Sequence, residues 1–215
     1  MRGIFLIHGG LWEDMDAERF WVKPGITGGL RDRGFDVLAP DRLRRPPDWA
    51  ADVACLAPLL PDGPVTVVAG SNGCTVAIRL ALTYPERIAT LLLAWPAVAG
   101  DARVDQWQRG EMIRQGASAA TIGGLLAGET LRGVTDAELG VLRLPVAVMP
   151  PPADNPFHRL HTFEVLLRLI PGARPLPGFP ETPRSEFAPH LTAFLDAVTG
   201  FAASAGGPLP ARDRR

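Results

Sequence analysis

The chain has 215 residues, of which 47% are hydrophobic and 21% charged. That composition is typical of one globular domain and excludes a largely disordered chain. The net charge of -1 leaves no basic excess for nucleic-acid phosphates or an anionic membrane surface. Two cysteines are too few for a disulfide framework, and no apolar run approaches the roughly 18 residues of a membrane span.

Short apolar runs alternate with amphipathic stretches along most of the chain. The predicted strands are residues 3–8, 36–39, 65–69, 90–95, 146–149 and 173–176. Helical spacing covers residues 18–33, 48–60, 72–84, 161–170 and 189–203. Most of the strands are apolar on both faces, as in a parallel sheet covered by helices. The alternation therefore predicts an α/β fold with an open, mostly parallel sheet flanked by helices.

One interval breaks this alternation. Residues 97–143 contain helical patterns but no convincing strand, and a connection of this length is unusual between two strands of one sheet. We expect it to form a short helical cap inserted into a single domain of residues 1–203. The last residues, 204–215, are rich in small residues and proline, which is typical of a disordered tail.

The strongest motif lies where the third predicted strand runs into a helix, around Ser71. Ala69, Ser71 and Gly73 form a small-x-Ser-x-Gly pattern, which is typical of a nucleophile elbow. Small residues are needed two positions either side of the serine because strand and helix pass closely and the turn is strained. The amide of Asn72, at the helix N-terminus, can stabilise an oxyanion there. The alternative is an ordinary Gly-Ser turn between strand and helix.

A second motif ends the first predicted strand, with His8 followed by Gly9 and Gly10. The two glycines let the backbone turn so that an amide near Gly10 or Leu11 points at a carbonyl oxygen opposite Ser71. His8 itself is interpreted as structural, with its ring orienting the loop.

Together these motifs resemble the α/β-hydrolase family, over nearly the whole chain and starting at the family's third strand. The resemblance implies that the acid of a catalytic triad lies in the loop after the fifth predicted strand, where Asp154 stands. Such an acid fixes the imidazole tautomer and stabilises the imidazolium. An Asp beside Asn155 and Pro156 is otherwise a routine turn residue.

The family pattern places the base histidine after the last strand, and there the sequence departs from it. No histidine stands near Phe179 or Pro180. His190 is the first histidine after that position and preserves the chain order Ser, Asp, His. His158, four residues after Asp154, is the alternative base, and a chain without a catalytic histidine is the third interpretation.

The resemblance implies a serine hydrolase that cleaves an ester or thioester of a small organic substrate through an acyl-enzyme, without cofactor or metal. The expected partner is this small molecule, with no nucleic acid and no membrane, and a homodimer is compatible with the sequence. The expected location is cytoplasmic. Because the usual histidine is missing, the alternative is a non-hydrolytic protein on the same fold: a cofactor-free lyase, a cyclase, an acyltransferase or a degenerate binding protein.

Overall fold

A computed structural model describes residues 3–204 of the chain, so the predicted tail beyond residue 204 lies outside the described residues. Six parallel strands form one sheet in the order β2-β1-β3-β4-β5-β6. The strands are β1 (Gly3–Ile7), β2 (Asp36–Leu38), β3 (Val65–Gly70), β4 (Ile88–Ala94), β5 (Val146–Met149) and β6 (Arg174–Pro175). The predicted α/β class with a parallel sheet is confirmed.

Helices connect the strands and cover both faces of the sheet. They are α1 (Ile26–Asp32), α2 (Trp49–Leu56), α3 (Gly73–Thr83), α4 (Ala102–Arg114), α5 (Ala119–Leu126), α6 (Asp136–Gly140), α7 (Leu160–Leu169) and α8 (Leu191–Ser204). Three of them, α4 to α6, lie in the long connection between β4 and β5. A π-helical turn (Glu18–Val22) and three 3-10 turns (Ala57–Leu59, Pro85–Arg87 and Ser185–His190) complete the helical structure of the described residues. None of the helices described is long and apolar enough to cross a bilayer.

The sheet separates two hydrophobic cores because alternate residues of a strand point to opposite faces. In β1, for example, Phe5 and Ile7 belong to one core, while Ile4 and Leu6 belong to the other. The first core is closed by α2, α3, α7 and the helices between β4 and β5. The second is closed by α1, α8 and the π-helical turn. Burial on both faces explains why the strands read as continuous apolar runs.

Two predicted elements differ from the observed ones. The helix predicted over residues 18–33 is interrupted, since Pro24 lacks an N–H and Gly25 adopts a φ of 85° at the start of α1. The last strand is only two residues long. It lies at the sheet edge, where Pro175 has no N–H to donate to a ladder.

The chain adds its strands to opposite sides of β1, with β2 on one side and β3 on the other. The chain passes from β1 to β2 on one side and then returns to place β3 on the other side of β1. A crevice opens outside the carboxyl ends of the strands at such a point, and ligands of open α/β sheets bind there. The two sequence motifs, after β1 and after β3, therefore meet at this crevice.

Candidate active site

The turn between β3 and α3 holds Ser71 in an uncommon backbone conformation. Its φ is 53°, in the left-handed region that costs a non-glycine residue free energy. The Ser71 amide donates to the carbonyl oxygen of Ala94 on β4, at 3.0 Å. A side chain at Gly73 would place its Cβ 2.6 Å from the backbone oxygen of His8 and 2.7 Å from that of Ile7. The glycine two positions after the serine is therefore required, because its backbone lies directly against the backbone of the loop after β1.

The loop after β1 packs equally closely on this turn. A Cβ at Gly9 would lie 2.9 Å from the Cβ of Ser71. Gly10 has a φ of 86°, which a side chain would strain. Both glycines of the motif are thus needed to bring the loop against the serine.

His8 holds this loop as a neutral, buried ring. Its Nδ1–H donates to the carbonyl oxygen of Gly9 at 2.8 Å, and its Nε2 accepts from the amide of Arg42 at 2.9 Å. Burial, together with the positive charge of Arg42, lowers the pKa of His8. Both ring nitrogens are engaged in these loop contacts, so the ring holds the loop in place.

Arg42 fixes the same loop through its guanidinium. Nη1 donates to the carbonyl oxygens of His8, Gly9 and Gly10, at 3.1, 3.2 and 2.7 Å. Nε and Nη2 bind one carboxylate oxygen of Asp52, at 3.0 and 2.6 Å, and both side chains are almost fully buried. Three consecutive carbonyls held by one cation leave the peptide units of the loop little freedom.

The residues predicted to bind the oxyanion differ in their surroundings. Gly10 and Asn72 line the same cavity as Ser71. The amide of Leu11 donates to a carboxylate oxygen of Glu13 at 2.9 Å. The geometry therefore favours the amides of Gly10 and Asn72 over that of Leu11.

His158 is the histidine that faces Ser71. Its Nε2 lies 2.9 Å from the Ser71 hydroxyl oxygen, and its Nδ1 lies 2.8 Å from Oε1 of Glu181. The carboxylate contact has the distance of an ion pair without the alignment of a directed hydrogen bond. Serine, imidazole and carboxylate thus form a continuous chain of contacts, in which the imidazole can take the serine's proton and the carboxylate can stabilise the resulting cation.

Asn155 ties the two loops of this chain together. Its Oδ1 accepts from the amides of Phe157 and His158, both at 3.0 Å, and its Nδ2 donates to Oε1 of Glu181. Burial alone would raise the pKa of Glu181, but its contact with His158, with the further help of Asn155 and Arg184, lowers that pKa below the usual range. Glu181 is therefore a carboxylate at neutral pH.

Two residues predicted for the triad, Asp154 and His190, do not line the cavity of Ser71. Asp154 is exposed, and its Oδ1 accepts from the amide of Leu160 at 2.6 Å, so it satisfies a free N–H in the first turn of α7. His190 is exposed at the end of a 3-10 turn, with its ring centroid 6.2 Å from that of Phe179. The loop after β6 passes the site at Glu181 and turns away before it reaches His190. Of the predicted bases, the structure brings only His158 to Ser71.

Glu181 was missed by the sequence interpretation, although one signal was present. It is the single acidic residue between Val165 and Ser185, in a loop otherwise rich in proline. It also stands beside Phe179 and Pro180, where the family pattern places the histidine. Compared with that pattern, the histidine beside Ser71 and the carboxylate beside that histidine stand on exchanged loops.

A cavity of about 250 Å³ opens in front of Ser71. Its apolar wall includes Met15, Phe20, Trp95, Ala97, Val104, Trp107, Phe157 and Pro183. Its polar lining includes Glu13, Gln108, Arg132 and Arg184 besides the residues already described. Within residues 3–204, no cluster of three or more histidine, cysteine or acidic side chains is arranged to hold a metal ion.

No model of a protein family matches the chain. The lipase LipV of Mycobacterium tuberculosis is 46% identical over an alignment of 77 residues, and the match covers 30% of this chain and 29% of that lipase. The match thus spans less than a third of the relative's length. Among solved structures, Rv0554 of Mycobacterium tuberculosis has a TM-score of 0.71 at 18% identity, covering 96% of this chain and 91% of that one. An esterase of Exiguobacterium antarcticum has a TM-score of 0.68 at 14% identity, with 94% and 92% covered.

The two structural likenesses extend over almost the whole chain and agree with the parallel sheet described above. The chain has the α/β-hydrolase fold, as its sequence motifs suggested.

Proposed function

We propose that the protein is a serine hydrolase that cleaves a carboxylic ester, with Ser71 as nucleophile, His158 as base and Glu181 as acid. The observation that carries the proposal is the 2.9 Å contact between His158 Nε2 and the Ser71 hydroxyl, with Glu181 on the other ring nitrogen. This arrangement satisfies the geometric requirement for an activated nucleophile.

The contacts assign each group a step. Ser71 Oγ attacks the ester carbonyl carbon while its proton passes to His158 Nε2, and Glu181 stabilises the imidazolium. The amides of Gly10 and Asn72 receive the negative charge that develops on the carbonyl oxygen. The imidazolium then protonates the leaving alcohol, which leaves an acyl group on Ser71. Water, deprotonated by His158, releases the acid and restores the serine.

The comparisons support the same class of reaction, since the relatives include proteins named a lipase and an esterase. The non-hydrolytic alternative rested on the lack of a histidine after the last strand. With His158 in contact with Ser71 from another loop, that reason no longer applies, and the hydrolytic function is the one we retain.

An activity-based fluorophosphonate probe tests the proposal on the purified protein. We expect covalent labelling of Ser71, located by peptide mass spectrometry, together with hydrolysis of a para-nitrophenyl ester. Ser71→Ala should abolish both, whereas Ser185→Ala, an exposed serine outside the cavity, should leave both unchanged. A folded wild-type protein that neither reacts with the probe nor cleaves esters would refute the proposal.

A further inference from the structure

We propose that Arg132 forms an anion subsite in the cavity beside Ser71 and that the ester substrate carries a carboxylate that binds there. That the ligand is an ester substrate rests on the proposed function, whereas the anion subsite itself is inferred from the contacts of Arg132.

Arg132 is a buried cation in the wall of the catalytic cavity. Its exposed fraction is 2%, and it lines the cavity together with Ser71 and His158. It lies in the connection between α5 and α6, where its carbonyl oxygen accepts from the hydroxyl of Thr75 on α3, at 2.9 Å. Its position relative to the nucleophile is therefore anchored on the helix that follows Ser71.

The hydrogen bonds of Arg132 leave most of its donors unused. Within residues 3–204 its guanidinium makes one hydrogen bond, from Nη2 to Oδ1 of Asp105 at 3.0 Å, and its buried Nε has no acceptor. The buried Arg42, in contrast, uses its donors on Asp52 and on three backbone carbonyls. A buried guanidinium with unused donors is costly unless an acceptor meets it. A ligand oxygen in the cavity would supply that acceptor.

The neighbours of Arg132 suit an anion with an apolar body. Gln108 on α4 is 5% exposed, lines the cavity, and its side chain makes no hydrogen bond within the described part of the chain. Val104 and Phe157 add apolar surface to the same cavity. The other cavity arginine, Arg184, is 55% exposed at its side chain and already lies 3.4 Å from a carboxylate oxygen of Glu181.

The size and charge of the subsite favour a carboxylate. Arg132 already carries a hydrogen bond to Asp105. It therefore suits a ligand with one negative charge better than a phosphate group, which carries about two negative charges at neutral pH. A guanidinium also matches the two oxygens of a carboxylate in a planar, bidentate arrangement. The cavity of about 250 Å³ can hold the acyl part of a small ester.

The test compares two esters of the same shape, one anionic and one neutral. One is the mono-para-nitrophenyl ester of adipic acid, and the other has a carboxamide in place of the free carboxylate. We expect wild-type kcat/KM to favour the anionic ester. Arg132→Gln should reduce that preference by about 10- to 100-fold, the range of hydrogen bonds to a charged group.

Arg159→Gln is the matched control. Arg159 makes the same type of bond, to Asp101 at 2.9 Å, but does not line the cavity, so its loss should leave the preference unchanged. Equal kcat/KM for both esters in wild type would overturn the subsite while leaving the ester hydrolase in place.

A binding measurement on the wild type covers the case in which Arg132→Gln does not fold or no ester is cleaved. Calorimetric titration should show tighter binding of hexanoate than of hexanamide, with the difference falling as salt is added. Where Arg132→Gln folds, the difference should vanish in it. Equal binding of the acid and the amide would refute the subsite. Selective hexanoate binding without any esterase activity would support the subsite and count against the proposed function alone.

Discussion

The two halves of the candidate site are built in different ways. On the nucleophile side, Ser71 and Gly10 follow adjacent strands of the sheet. Their positions follow from backbone contacts, such as that of Gly73 against the carbonyl oxygens of Ile7 and His8. On the base side, His158 and Glu181 come from the loops after β5 and β6 and meet through side-chain contacts.

The difference indicates which part of the site the fold holds in place and which part depends on side chains. The strained serine turn depends on contacts with strand, helix and neighbouring strand at once, so its position in the sheet is fixed. A histidine and a carboxylate need only reach each other, and either of two adjacent loops can supply either group. The functional unit on the base side is therefore a spatial arrangement rather than a position in the chain.

The largest effect should come from removing the base. We expect His158→Ala to lower kcat for a para-nitrophenyl ester by roughly 10³- to 10⁶-fold, as for other residues that act as a unit with a serine nucleophile. Steady-state kinetics on a variant with an unchanged circular-dichroism spectrum provides the measurement.

His190→Ala is the matched control, because His190 is exposed and does not line the cavity. Its kcat should equal that of the wild type. The double variant of Ser71 and His158 should be no slower than Ser71→Ala alone, because the two residues work together. If His190→Ala is inactive and His158→Ala is normal, the base assignment proposed here is incorrect.

The contrast between the two halves also explains what the sequence could predict. The sheet, its parallel strands and the serine turn follow from apolar runs and small residues that are close in sequence. His158 was recognised only as the alternative base, and Glu181 was not recognised. Their partnership depends on the pairing of β5 with β6 and on how a proline-rich loop leaves the sheet, and neither is written in local spacing.

The acid should contribute less than the base. We expect Glu181→Gln to lower kcat by roughly 10²- to 10⁴-fold, because the amide keeps the shape but cannot stabilise the imidazolium with a negative charge. Asp154→Asn is the control, since within residues 3–204 the side chain of Asp154 accepts only from the amide of Leu160. Comparable losses in the two variants would show that the carboxylate beside His158 has no special role.

The smallest effect concerns the nucleophile side and appears in stability rather than in rate. His8 is buried as a neutral ring, and burial together with Arg42 lowers its pKa in the folded protein. The unfolded chain, with a histidine pKa of about 6.5, therefore binds a proton more readily than the folded one. The stability that the neutral ring contributes is fully present above about pH 6.5 and is lost as the pH falls toward the folded pKa.

We therefore expect the unfolding midpoint of the wild type to fall by a few degrees between about pH 7.5 and pH 5.5, a range above the ordinary pKa of carboxylates. In this range Glu181 and the other acids with lowered pKa values stay ionised, so they add little to the change. His8→Gln should flatten the dependence, because an amide cannot take up the proton, whereas His190→Gln should keep it. Differential scanning calorimetry across the range measures both. If His8→Gln retains the full dependence, protonation of the ring under the serine loop is not its cause.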